Sequence, residues 1–146
     1  MSESRLSSEN LHASCVASEG RAVLISGPSG SGKSDLALRL LDRDFVLVSD
    51  DRTIVRKVGA RLIASPPETI KGKLEIRGVG IVEVETVSNV PVALFVELTS
   101  DIQRIPDDSR ERLIMGTGIP LVSVDAMTAS AASKVAMALG RLGLKF

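Results

Sequence analysis

Apolar residues recur along this chain with two different periods, and the order of those periods predicts a mixed α/β fold. Residues 21–26, RAVLIS, form a short apolar run of strand type, and glycines follow at once. Residues 33–41, KSDLALRLL, place Leu36 with Leu40 and Ala37 with Leu41 at i, i+4, the spacing of one helix face. Residues 45–48 read as a second buried strand ending at Ser49, Asp50 and Asp51. Only residues 42–44 separate helix from strand, which makes a compact strand–helix–strand unit.

The middle of the chain changes character. Residues 53–58, 61–64 and 81–87 are strand-like, and Gly59 with Ala60 marks a hairpin turn between the first two. Residues 92–98, VALFVEL, suit a central strand, and residues 119–124 form another. Residues 102–118 are polar, contain Pro106, and read as loop with one helical turn. Residues 130–142 form a closing helix with Ala131, Val135, Ala138, Leu139 and Leu142 on one side. The expected fold is therefore an α/β, P-loop nucleotide-binding core with a mixed, β-rich sheet and few helices. Residues 1–146 make one domain, with residues 1–9, polar and rich in serine, as a flexible tail.

Composition narrows the partners. Lys+Arg and Asp+Glu both number 18, so bulk charge makes no case for a nucleic acid or an acidic membrane. Aromatic residues make up 2% of the chain, too few for the stacking platforms that single-stranded nucleic acid needs. No apolar run approaches the ~18 residues of a membrane span. The single cysteine, Cys15, cannot form an internal disulfide, which fits a reducing, cytoplasmic setting.

The chemistry starts at the glycines. Gly27-Pro28-Ser29-Gly30-Ser31-Gly32-Lys33-Ser34 matches G-x-x-x-x-G-K-[ST] without a mismatch, between a strand and a helix. Backbone N–H groups of such a loop curl around phosphate oxygens, the lysine adds a mobile charge, and the serine hydroxyl serves a divalent metal. A carboxylate is expected after a neighbouring strand, where Asp50 and Asp51 stand; one can serve metal and the other can accept a proton. Glu75-Ile76-Arg77-Gly78-Val79-Gly80-Ile81 sets a carboxylate and a guanidinium two residues apart before two glycines. That pairing suits a metal shell and phosphoryl charge, or equally a surface bend between strands. His12 is the only histidine, and its ordinary pKa suits proton transfer near neutrality.

Together, LHAS at residues 11–14, GPSGSGKSDLALRLL, VSDDRTIV and LEIRGVGIV resemble the HPr kinase/phosphorylase family, in particular its catalytic domain in the short alphaproteobacterial form. The resemblance implies an ATP- and Mg²⁺-dependent serine kinase acting on HPr, the phosphocarrier of the sugar phosphotransferase system. The family also removes that phosphate by phosphorolysis, and it assembles as hexamers, which implies a homo-oligomer here. By the same resemblance Lys33 contacts phosphates, and Asp50 is the proton acceptor. Ser34 and Glu75 are metal ligands, with Asp51 in support. His12 is the active-site histidine, Arg77 belongs to the catalytic signature, and Arg104 matches a later active-site arginine.

The sequence departs from the family at three points. The catalytic motifs are expected to stand without the family's usual N-terminal domain. Asp35 replaces a glutamate. Residues 125–129, DAMTA, stand where the family has a basic loop, so phosphorolysis is expected to be weak or absent. Two rivals remain: a small-molecule or carboxykinase-like phosphotransferase on the same scaffold, and a non-catalytic, ATP-dependent sensor that binds HPr.

Overall fold

The computed structural model describes residues 7–102 and 110–146. Arg104 lies outside the described residues, as do the other residues from 103 to 109 of the stretch 102–118 expected to be loop with one helical turn. Eleven strands run in chain order: β1 Ser8–Leu11, β2 Ala13–Ser18, β3 Arg21–Ser26, β4 Val46–Ser49, β5 Thr53–Val58, β6 Arg61–Ser65, β7 Lys73–Ile76, β8 Gly80–Glu83, β9 Val90–Leu98, β10 Glu111–Ile114 and β11 Thr117–Val124. Two α-helices, α1 Lys33–Leu41 and α2 Ala131–Leu142, and one 3₁₀ turn, Glu68–Ile70, complete the described elements.

Nine strands form one sheet, and β7 and β8 form a separate hairpin. β3, β9 and β11 are parallel neighbours at its centre. β2 runs antiparallel between β3 and β4. The nine residues of β9 serve two partners along one edge: Val90 and Pro91 pair with β6, and Phe95 to Leu98 pair with β11. The C-terminal ends of β3, β4, β9 and β11 and the start of β2 thus meet along one edge, the edge where open α/β sheets place their ligands.

Both faces of this sheet are covered. Leu36 and Leu40 of α1, Val135 and Leu139 of α2 and Leu74 of β7 pack with Ile25, Leu94 and Val96 on one face. Val55 and Leu62 of the β5–β6 hairpin close the other over Cys15, Leu24 and Phe95. The expected mixed, β-rich core with few helices is the observed one.

Several expected boundaries change. Residues 8 and 9 are not tail: Ser8 to Leu11 pair with Arg56 to Thr53 in β5. β2, ASCVAS, had no expected strand, because its side chains are too small to register as an apolar run. The 81–87 strand stops at Glu83, and only Thr86 bridges on, to Leu47. Residues 111–114 are a strand and not loop, joined to β11 through Met115 and Gly116, which hold positive φ of 48° and 79°. The register pairs Ile114 with Thr117 across that two-residue turn.

Candidate active site

The phosphate loop leaves β3 and feeds α1. Gly32 caps that helix with φ 99° and no side-chain hydrogen bond, so the first N–H groups of α1 are left for a ligand. A Cβ at Gly32 would stand 3.1 Å from Ala126 Cβ, and one at Gly27 would stand 2.6 Å from Ser31 Oγ and 3.0 Å from Leu98 Cβ. The glycines are therefore required by conformation at Gly32 and by space at Gly27. Lys33 is only 9% exposed, and its Nζ donates to the carbonyl oxygens of Gly27 and Pro28 at 2.9 and 3.5 Å. These two neutral acceptors hold the ammonium in place, and a phosphate oxygen would offer it a stronger, charge-assisted bond.

A cavity of about 770 Å³ opens in front of this loop. Ser29, Gly30, Gly32, Lys33 and Ser34 form its floor, and Asp51 lines it beside them. Glu75, Arg77 and Gly78 reach it from the β7–β8 hairpin, and Ala126 and Met127 reach it from the segment after β11.

Asp50 sits behind this wall, 7% exposed and not among the cavity-lining residues. Its Oδ1 accepts hydrogen bonds from Ser34 Oγ at 2.6 Å and Ser14 Oγ at 3.0 Å, and its Oδ2 accepts the Glu75 N–H at 3.1 Å. One buried carboxylate therefore ties the phosphate-loop helix, β2 and the Glu75 hairpin together, and its three donors compensate its burial. Asp51 is its opposite. It is exposed, and its φ is 65°. The Arg52 N–H returns to the Asp50 carbonyl at 2.7 Å, which makes Asp51 the apex of a γ-turn of the strained, positive-φ kind.

The cavity brings Lys33, Ser34, Asp51, Glu75 and Arg77 together with Ser29, Gly30 and Gly32. Gly27, Pro28 and Ser31 build the loop without lining the cavity, and exposed His12 precedes β2 outside it. Sequence reasoning missed Ser14 and Arg39. Arg39 pairs with Asp35 at 3.1 Å, and its guanidinium donates to the carbonyls of Ala126 at 2.6 Å and Thr128 at 3.2 Å, lashing the post-β11 segment to α1. The signal for Arg39 was its i, i+4 spacing from Asp35; Ser14 gave none, as one serine among small residues.

Among the described residues no three His, Cys, Asp or Glu side chains cluster so as to hold a metal alone. Mg²⁺ is commonly held by one or two carboxylates together with substrate phosphates, and that mode needs no such cluster. Ser34 Oγ can give a lone pair to the ion while its hydroxyl donates to Asp50 Oδ1, and the Glu75 carboxylate lines the same cavity. The residues present fit the ion. No described helix is long and apolar enough to cross a membrane.

This fold and loop define a P-loop nucleotide-binding domain of the kinase type. The family described as HPr Serine kinase C-terminal domain matches residues 4–139, and the chain belongs to that family. The chain is 35% identical over 129 residues to an HPr kinase/phosphorylase of Prosthecochloris aestuarii, covering 80% of this chain and 38% of the relative. It is 38% identical over 118 residues to one of Brevibacillus brevis, covering 72% and 38%. The chain thus spans about two fifths of the length of these curated relatives. The solved structure of the Hpr(Ser) kinase/phosphatase from Coxiella burnetii superimposes with a TM-score of 0.78 at 26% identity, covering 91% of this chain and 95% of that one.

Proposed function

We propose that this chain transfers the γ-phosphoryl group of ATP, with Mg²⁺, to a serine of an HPr-like phosphocarrier, and that phosphorolysis is weak or absent. The observation that carries the reading is the Asp50 carboxylate, which joins Ser34 of the phosphate loop to Glu75 of the family signature. A chain that only bound nucleotide would need the loop but not this coupling.

The serine oxygen attacks the γ-phosphorus; the new O–P bond forms as the bond to the bridging oxygen breaks, and ADP leaves. Lys33 and the loop N–H groups hold the phosphate oxygens, and Arg77 faces the same space. Bound Mg²⁺ would neutralise part of the phosphate charge, with Ser34 and Glu75 as its holders.

The serine proton needs an acceptor, and here we exchange the two roles that the family resemblance implies. Asp50 spends both carboxylate oxygens on protein donors and lies outside the cavity. Asp51 lines the cavity with no side-chain hydrogen bond that the structure shows. We therefore assign Asp51 as proton acceptor and Asp50 as the group that orients Ser34 and the Glu75 hairpin.

Incubation with ATP, Mg²⁺ and HPr from the same organism, followed by mass spectrometry, tests the reading. One phosphoryl group on a serine is expected. Unmodified HPr, with label from ATP on small metabolites instead, would move the chain to the small-molecule phosphotransferases.

A further inference from the structure

We infer that Ser14 is a positioning residue for the proton acceptor. It pins the strained turn that aims the Asp51 carboxylate into the cavity, and this rests on the assignment of Asp51 just made. Ser14 is fully buried on β2, paired with Ile25 of β3. Its Oγ does two things at once. The hydroxyl proton goes to Asp50 Oδ1 at 3.0 Å, and the oxygen accepts the Asp51 N–H at 3.0 Å.

The second bond matters because of what it holds. Asp51 has φ 65° at the apex of a γ-turn, a conformation that L side chains rarely adopt and that persists only when its surroundings fix it. The turn is stitched on its far side, where the Ser49 hydroxyl and the Arg52 N–H close onto backbone carbonyls. On the near side Ser14 is the anchor at the Asp51 amide. Because the Ser14 proton is committed to Asp50, its oxygen is left to accept, so each aspartate fixes the role that Ser14 plays for the other. Ser14 hydrogen-bonds Asp50 and the Asp51 amide and no phosphate-loop residue, and Asp50 keeps its bonds from Ser34 and Glu75 without it, so its effect should appear in the transfer step more than in nucleotide binding.

Four measurements decide. Ser14→Ala should lower kcat for HPr phosphorylation roughly 10-fold, the rate equivalent of one hydrogen bond, with KM for ATP within about 2-fold of wild type. In an Asp51→Asn background the same substitution should cost nothing further, because both changes act through one carboxylate. Ser14→Thr, which keeps the hydroxyl, should recover most of the rate. An additive loss in the double variant, or a change confined to KM, would overturn the inference. The fourth readout needs no variant and no activity. In wild-type protein the Asp51 amide, although it belongs to an exposed residue, should exchange as slowly as strand amides. Exchange at the rate of an open loop would sink the role of Ser14 whether or not the chain phosphorylates HPr. If HPr is not phosphorylated while that amide is protected, the functional reading fails and the anchor stands.

Discussion

Asp50 and Asp51 are the same residue type in consecutive positions, yet their surroundings differ in every respect that bears on chemistry. A carboxylate that accepts three hydrogen bonds inside the protein is a poor candidate to meet an incoming serine hydroxyl, whereas one on a cavity wall can do so. Asp51→Asn is expected to bind ATP normally by calorimetry and to lose about 10²- to 10⁴-fold in transfer. Asp50→Asn should behave differently. Either amide orientation sets an NH₂ group against a donor that Asp50 now accepts, at a cost of about 1–3 kcal/mol. Its melting temperature should fall, its magnesium requirement should rise through misplacement of Ser34, and some transfer should survive at saturating Mg²⁺. If Asp50→Asn melted like wild type while losing all transfer, Asp50 itself would be the proton acceptor. The adjacency of two aspartates after a strand was legible in the sequence. Which of them faces the cavity was not, because that depends on Ser14 and on the amide of Glu75, 36 and 25 residues away.

β2 shows at the scale of one element why the rest was hidden. It lies between β3 and β4 with both faces covered, and its ASCVAS sequence provides the small side chains that let α1 and the β5–β6 hairpin approach. Its turn into β3 uses Glu19 and Gly20 at φ 51° and 76°, the geometry that Asn-Gly favours. Glu19 is exposed, so Glu19→Asn should relieve the left-handed cost and stabilise by roughly 0.5–1 kcal/mol, raising Tm by about 2–4 °C. An unchanged or lower Tm would mean that Glu19 is not strained. Cys15, fully buried on the same strand, has its thiol pKa pushed well above the ordinary 9.0 by burial. The folded protein then holds this proton more tightly than the unfolded chain, so stability is intact below about pH 9 and is lost as pH rises above it. Denaturant melts of wild type and Cys15→Ala should therefore converge as pH is raised from 8 to about 10.5. A constant gap would show that the thiol plays no part. The strongly periodic elements β3, α1, β9 and α2 were legible from side-chain pattern alone. β1, β2 and β10 were not, because their pairing, and not their hydrophobicity, makes them strands.

At the scale of the whole molecule the question is direction: forward transfer to serine, or phosphate-driven reversal. Reversal requires inorganic phosphate beside a phosphoserine, and two like charges ~4 Å apart repel by several kcal/mol even at an effective dielectric near 20 when the groups are multiply charged. Arginines from a loop over the site would offset this, since a planar guanidinium binds two phosphate oxygens at once. The segment after β11 occupies that place, lashed to α1 by Arg39, and it offers the cavity Ala126 and Met127. The Asp125 carboxylate turns back to accept the Met127 N–H at 2.9 Å and does not line the cavity, so the proposed deficit would come from missing cations and not from an added anion. Among the described residues the cationic side chains lining the cavity are Lys33 and Arg77, and the proposed forward reaction uses both. With even ~3 kcal/mol of repulsion left uncompensated, reversal should run at least about 100-fold slower than serine phosphorylation. Phosphoserine-HPr, Mg²⁺ and millimolar phosphate should therefore yield little pyrophosphate on the timescale of complete forward transfer. Met127→Arg, which restores a guanidinium over the loop at a position 78% exposed, should raise that yield without improving the forward rate. Rapid pyrophosphate release by the wild-type chain would mean that the compensating charge comes from somewhere other than this cavity wall.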